Sequence, residues 1–95
     1  LEYGVEQFIN YVRGMSEEPG AYVLLENVKL KILKAKLSSK TVSGEVGTLL
    51  IEKGVFLKLK DGVIELTELQ LAGKKKMDGK SFANGSHHLN GKLVN

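Results

Sequence analysis

Between Val28 and Leu37 the chain alternates aliphatic residues with lysine, and the alternation breaks phase once. Val28, Leu30 and Ile32 share one parity against Lys29 and Lys31; Leu33, Ala35 and Leu37 then take the other against Lys34 and Lys36. A regular strand would turn two of these four ammonium groups into the core, where an unpaired charge is strongly unfavourable. A β-bulge at the slip keeps all four outside and bends the strand, as a small barrel requires. A second slip follows downstream, with Ile64 and Leu66 on one parity and Leu69 and Leu71 on the other.

The remaining elements read outward from this strand. Val5, Phe8, Ile9 and Val12 recur at i, i+3, i+4 and i+7, predicting a helix over about residues 3–13, with Gly14 and Pro19-Gly20 as stop signals. The period then changes to two. Ala21–Leu25 is a short strand, Glu26-Asn27 a turn, Ser38–Gly47 a polar loop, and Thr48–Lys53 and Val55–Lys60 two further strands. Asp61-Gly62 is a strong hairpin signal leading into Val63–Leu71, so the barrel strands occupy about residues 21–71. A basic loop over 72–77 precedes a short helix over 78–84, capped by Asp78 and stopped by a left-handed Gly85. The fold class is mainly β: a small Greek-key barrel resembling the oligonucleotide-binding (OB) fold, with an N-terminal helix and a short C-terminal helix.

Ninety-five residues, 42% of them hydrophobic, suffice for one modest core and a single domain. No apolar run approaches the ~20 residues of a membrane span, so no membrane partner is expected. Cysteine is absent, which removes disulfides, thiolate zinc sites and cysteine nucleophiles, and fits a reducing, cytoplasmic setting. The chain lacks an initiator Met and is expected to be a piece of a longer protein.

Charge is unevenly placed. Residues 1–26 carry Arg13 against five glutamates, a net −4, whereas residues 27–95 carry thirteen lysines against six acids, a net +7. Lys29, Lys31, Lys34, Lys36 and Lys40 have no acid among them; Lys74, Lys75, Lys76 and Lys80 surround only Asp78. Clustered lysines fit a polyanionic partner, because their fields add before salt screens them. The plainer reading is a solvated strand face.

Other motifs carry less. The run from Gly73 to Ser81 has five residues between its glycines where a phosphate-binding loop needs four, and its helix is too short to cradle a nucleotide triphosphate. His87-His88 on a strand would point to opposite faces, with no Cys and no other His to complete a metal site. The acid pairs Glu17-Glu18 and Glu65 with Glu68 read as surface groups, and no catalytic constellation is present in the sequence. Phe8 belongs to the helix's buried face. Phe56 faces either solvent or a covering helix, and the chain has few aromatics on which to stack bases, so RNA backbone phosphates fit its lysine-rich strands better.

The stretch from Glu65 to Met77, with Leu69-Gln70-Leu71-Ala72-Gly73-Lys74-Lys75-Lys76, followed by Phe82 and Asn84-Gly85, resembles the C-terminal domain of methionyl-tRNA formyltransferase, whose pattern there is E-L-Q-P-A-G-K-K-x-M. Pro19-Gly20-Ala21-Tyr22 with Leu30-Lys31-Ile32 resembles its P-G-A-Y…L-K-I segment, and Gly47-Thr48 and Asp61-Gly62 fall where it has G-T and D-G. The chain departs from that pattern at Glu17, Val46 and Leu71, where the family often has proline, and at Glu18, where it often has an aromatic.

The resemblance implies a tRNA-binding accessory domain. It would hold initiator Met-tRNA by its backbone while an N-terminal catalytic domain, absent here, transfers formyl from 10-formyltetrahydrofolate to the methionine amino group. It implies no cofactor and no catalytic residues in this chain, and a monomer. The motif itself marks Lys74, Lys75, Lys76 and Lys31 as tRNA-binding residues; charge placement adds Lys29, Lys34, Lys36 and Lys80. The alternative is a C-terminal packing module of a related formyltransferase or formyltetrahydrofolate hydrolase with no RNA partner.

Overall fold

A computed structural model describes residues 3–15 and 20–95. The expected stop at Pro19 and the Glu17-Glu18 pair lie outside the described residues. Helix α1 (Val5–Gly14) is followed by strands β1 (Ala21–Leu25), β2 (Val28–Ser38), β3 (Leu49–Ile51), β4 (Val55–Leu59), β5 (Gly62–Leu71) and β6 (Met77–Asp78), then helix α2 (Gly79–Gly85) and a 3₁₀ turn, His87–Leu89. The strands form one antiparallel sheet in the order β1-β2-β5-β4-β3, with β6 also paired to β5. The β3–β4–β5 meander, with β2 returned beside β5, is a Greek key.

The sheet curls around a core of Leu30, Ile32, Leu49, Leu57, Ile64, Leu66 and Leu69, all at most 1% exposed. Phe8 and Val12 of α1 close one opening of this core, and Phe82 and Ala83 of α2 another. The two phase slips meet across one strand pair. Ile32 faces Leu69, Lys34 faces Glu68 and Ala35 faces Leu66, so Leu33 is extra on β2 and Thr67 is extra on β5. The paired irregularities restore register and bend both strands together. They leave Lys29, Lys34 and Lys36 exposed and Lys31 half-buried on the outer face.

The C-terminal segment closes the barrel. Leu49 is joined to it by two bonds, its N–H donating to the Lys92 carbonyl (2.9 Å) and its carbonyl accepting the Gly91 N–H (2.8 Å). Val94 N–H donates to the Gly47 carbonyl (2.9 Å), while Leu24 and Asn95 exchange two bonds of 3.0 and 2.9 Å. The two outer strands, β1 and β3, are thereby covered by one segment, which removes the open edges that invite association.

Several expectations are corrected. Asp61-Gly62 is not the hairpin turn: Lys60 and Asp61 form it, Gly62 pairs with Leu59, and neither Asp61 nor Gly62 has a positive φ. Asp61 serves α1 instead, its Oδ1 accepting the Val5 N–H at 2.8 Å, where the helix has a free donor. Asp61→Ala is therefore expected to cost about 1 kcal/mol and to lower Tm by roughly 4–8 °C, as read by thermal denaturation. A Tm unchanged by that substitution would contradict the capping role.

Gly85 is not left-handed; it ends α2, and Ser86 follows at φ −134°. Met77 and Asp78, expected in the basic loop and at the helix start, form β6 because Leu69 and Glu68 of β5 extend past β4 and leave pairing groups free. Leu37, expected on the core side, is 67% exposed, on the part of β2 that runs beyond the end of β1, whose pairing stops at Ile32. Phe56 faces neither solvent nor a helix: it is buried on the outer face with Val42 and Val63, under the loop between β2 and β3. His87 and His88 lie in a 3₁₀ turn and not on a strand, both exposed. Among the described residues no helix is long and apolar enough to cross a membrane.

Candidate nucleic-acid interface

The basic run is the tip of the β5–β6 hairpin. Leu69 pairs with Met77, and the chain between Leu71 and Lys76 turns back with Gly73 at φ 78°. A side chain at Gly73 would have open space around it, so the residue is required for its backbone conformation alone. The tip is fastened to the sheet at three points. The Ala72 N–H donates to the Lys29 carbonyl (2.9 Å), the Lys74 N–H to the Leu71 carbonyl (2.9 Å), and the Gln70 side-chain amide to the Lys74 carbonyl (2.9 Å).

Its C-terminal side is held by α2. Asp78 caps that helix by accepting the Ser81 N–H at 2.7 Å, and this bond holds the Asp78 carboxyl below the ordinary aspartate range. Gly79 packs so close that a Cβ there would lie 2.5 Å from the Leu66 carbonyl. Lys74, Lys75 and Lys76 thus project from a braced loop, whose backbone has little freedom left to lose on meeting a ligand.

The outer face of β2 runs alongside. Register places Tyr22, Lys31 and Gln70 in one row across β1, β2 and β5. Lys29 lies over the Tyr22 ring, its Nζ 4.6 Å from the ring centroid. These residues, with Leu71, Ala72 and Gly73, line a shallow trough of about 170 Å³, and among the described residues no acid lines it. It is a cationic strip with an aromatic side, suited to a phosphate oxygen.

The same face changes character farther along β2. Lys34 faces Glu68 in register; Lys36 pairs with Glu65 at 3.8 Å, and Lys76 with Glu68 at 3.9 Å. Lys80 stands apart on α2, exposed. Lys29 and Lys31 therefore line the trough, Lys74 and Lys75 stand on the adjoining tip, Lys34, Lys36 and Lys76 are interleaved with carboxylates, and Lys80 is separate. Sequence reading assigns Glu65 and Glu68 to the surface without seeing that they stand opposite lysines. Cross-strand register was the missing signal, and it depends on the bulges. Gln70, part of the motif in sequence, supports the loop in the structure.

Among the described residues no group of His, Asp or Glu could hold a metal ion.

Comparison with known proteins adds the family. Residues 3–87 match the family described as "Formyl transferase, C-terminal domain". The chain is 40% identical to the methionyl-tRNA formyltransferase of Lactobacillus gasseri over 98 aligned positions, which cover 99% of this chain and 31% of that protein. It is 38% identical to the Bacillus subtilis enzyme of the same name, over 86% of this chain and 27% of that protein. For the Pelobacter propionicus enzyme the identity is 38%, over 93% of this chain and 28% of that protein. The chain thus spans about three-tenths of the length of the relatives it matches.

Proposed function

The chain belongs to the formyl transferase C-terminal domain family, and from that premise we propose that it holds initiator methionyl-tRNA for a methionyl-tRNA formyltransferase. The catalytic chemistry, and the site for 10-formyltetrahydrofolate, belong to an N-terminal domain outside this chain. The setting is the cytoplasm, at translation initiation, and the domain acts as a monomer.

The observation that supports this reading is the braced hairpin tip, which carries Lys74, Lys75 and Lys76 and is tied by its Ala72 N–H to the backbone of Lys29. Lysines so placed bind phosphates, release condensed counterions and fix the orientation of an RNA without reading its sequence. Discrimination of the initiator then falls to the catalytic domain. A surface of this kind binds on the order of 10⁻⁴–10⁻⁶ M at physiological salt. Lys34 and Lys36 extend the track, tempered by Glu65 and Glu68; Lys80 adds a more distant charge.

A second reading, a packing module of a formyltransferase with no RNA partner, is favoured by Leu37, which offers an exposed apolar side chain at the end of β2. The two readings separate on a gain of function. A carboxylate about 6 Å from a phosphate repels it by roughly 0.7 kcal/mol in water, so Glu65→Gln with Glu68→Gln is expected to tighten initiator-tRNA binding about tenfold at low salt. Titration by fluorescence anisotropy measures this. Unchanged affinity would place the β2–β5 face away from the RNA, and no binding by either protein would favour the packing module.

A further inference from the structure

On the other side of the basic hairpin tip lies a cleft of about 600 Å³, within the range of roughly 300–1,000 Å³ typical of small-ligand sites. We propose that it receives one unpaired base of the bound RNA, an inference that rests on the RNA-holding reading above. Its walls are apolar, built from Leu25, Val28, Leu71, Met77 and Phe82. Val28 and Met77 are 41% and 40% exposed, two large apolar side chains left open to solvent.

Its lining also carries cations. Lys74 and Lys75 line the cleft with His88, and the one carboxylate that lines it among the described residues, Glu26, is engaged by Lys92 at 3.3 Å. Leu71 lines both this cleft and the trough of Lys29 and Lys31, so the hairpin tip is the ridge between them. An RNA strand whose phosphates pass from Lys29 to Lys74 and Lys75 crosses that ridge and brings the next base to the cleft. A nucleobase matches the lining: its faces are apolar, and its polar edge can meet the Ser86 hydroxyl and the His88 imidazole, which also line the site. A bare polyanion would leave the apolar walls unused, and an apolar protein side chain would leave the lysines unmatched.

The test compares probes of equal charge on this chain at low ionic strength, by fluorescence anisotropy. One is a single-stranded RNA pentamer; the other is a pentamer of the same ribose–phosphate backbone without bases. The pentamer with bases is expected to bind about tenfold more tightly, equivalent to about 1.4 kcal/mol. Val28→Gln, which replaces an apolar wall of the cleft by a polar one without changing charge, should abolish that advantage and leave the abasic pentamer's affinity unchanged. Met77→Gln alters the cleft from another wall and should do the same if Val28→Gln does not fold.

Equal affinities for the two pentamers would overturn the base site and leave the tRNA-holding reading in place. So would binding of intact initiator tRNA with no detectable binding of either pentamer, or preference for an acidic, leucine-rich peptide over RNA. Failure of both pentamers and of initiator tRNA would overturn the two readings together.

Discussion

Removal of residues 91–95 is expected to abolish the cooperative unfolding transition. This segment makes five backbone hydrogen bonds with Leu24, Gly47 and Leu49, and it buries Val94 to 3% exposure. At about 0.5–1.5 kcal/mol net per bond, with about 1.5–3 kcal/mol for a buried valine, the loss amounts to roughly 4–10 kcal/mol. A domain of this size has only about 5–15 kcal/mol to lose. The truncated chain should retain much of its far-ultraviolet signal, lose a sharp thermal transition and bind hydrophobic dyes. A transition within a few degrees of the full chain's would show that the sheet holds its curl without the segment. Loss of the segment also reaches the outer face of β2, because β1 supplies Tyr22, against which Lys29 is placed.

The second large effect falls on RNA binding. Lys74→Glu, Lys75→Glu and Lys76→Glu together reverse three charges on the hairpin tip. All three lysines are exposed, and among the described residues the 3.9 Å approach of Lys76 to Glu68 is their one ion pair. A pair so exposed contributes about 0–1 kcal/mol, so the variant should unfold within a few degrees of the parent. The backbone bonds that brace the tip need only the Lys74 N–H and carbonyl and survive the substitution. Three lost phosphate contacts, replaced by three repulsions, should weaken initiator-tRNA binding at least about a hundredfold at low salt. Equilibrium titration of the two proteins, with matched thermal melts, reads both halves of this expectation. Retained affinity in a folded variant would move the interface off the hairpin tip.

The barrel was legible because a strand's phase is written in its side chains. Four lysines alternating with aliphatics cannot change parity without a bulge, and the slip at Ile32–Leu33 marks where β2 departs from regular pairing. The companion slip in β5 was visible for the same reason, although only the register shows that the two face each other. The closing segment was not legible. It meets each edge through an isolated bridge, Leu25 with Val94 and Thr48 with Leu93, too few residues to establish a period of two. Asp61-Gly62 marked the β4–β5 hairpin correctly but set its turn one residue late, and nothing local showed that the Asp61 carboxylate also caps a distant helix. At the candidate site the lysines were legible as charge, and the loop as a motif. Their bracing by Gln70, their neutralisation by Glu65 and Glu68, and the apolar cleft under Lys74 and Lys75 arise from pairing across strands. Local sequence does not encode that directly.

The central claim is that this chain holds RNA through a small number of lysine–phosphate contacts. Its most direct test is the affinity of the chain for initiator tRNA across a salt series. Three to five contacts predict that log K falls linearly with log salt at a slope of roughly −2 to −4. Binding that does not change with salt, or no measurable binding at the lowest salt, would contradict it.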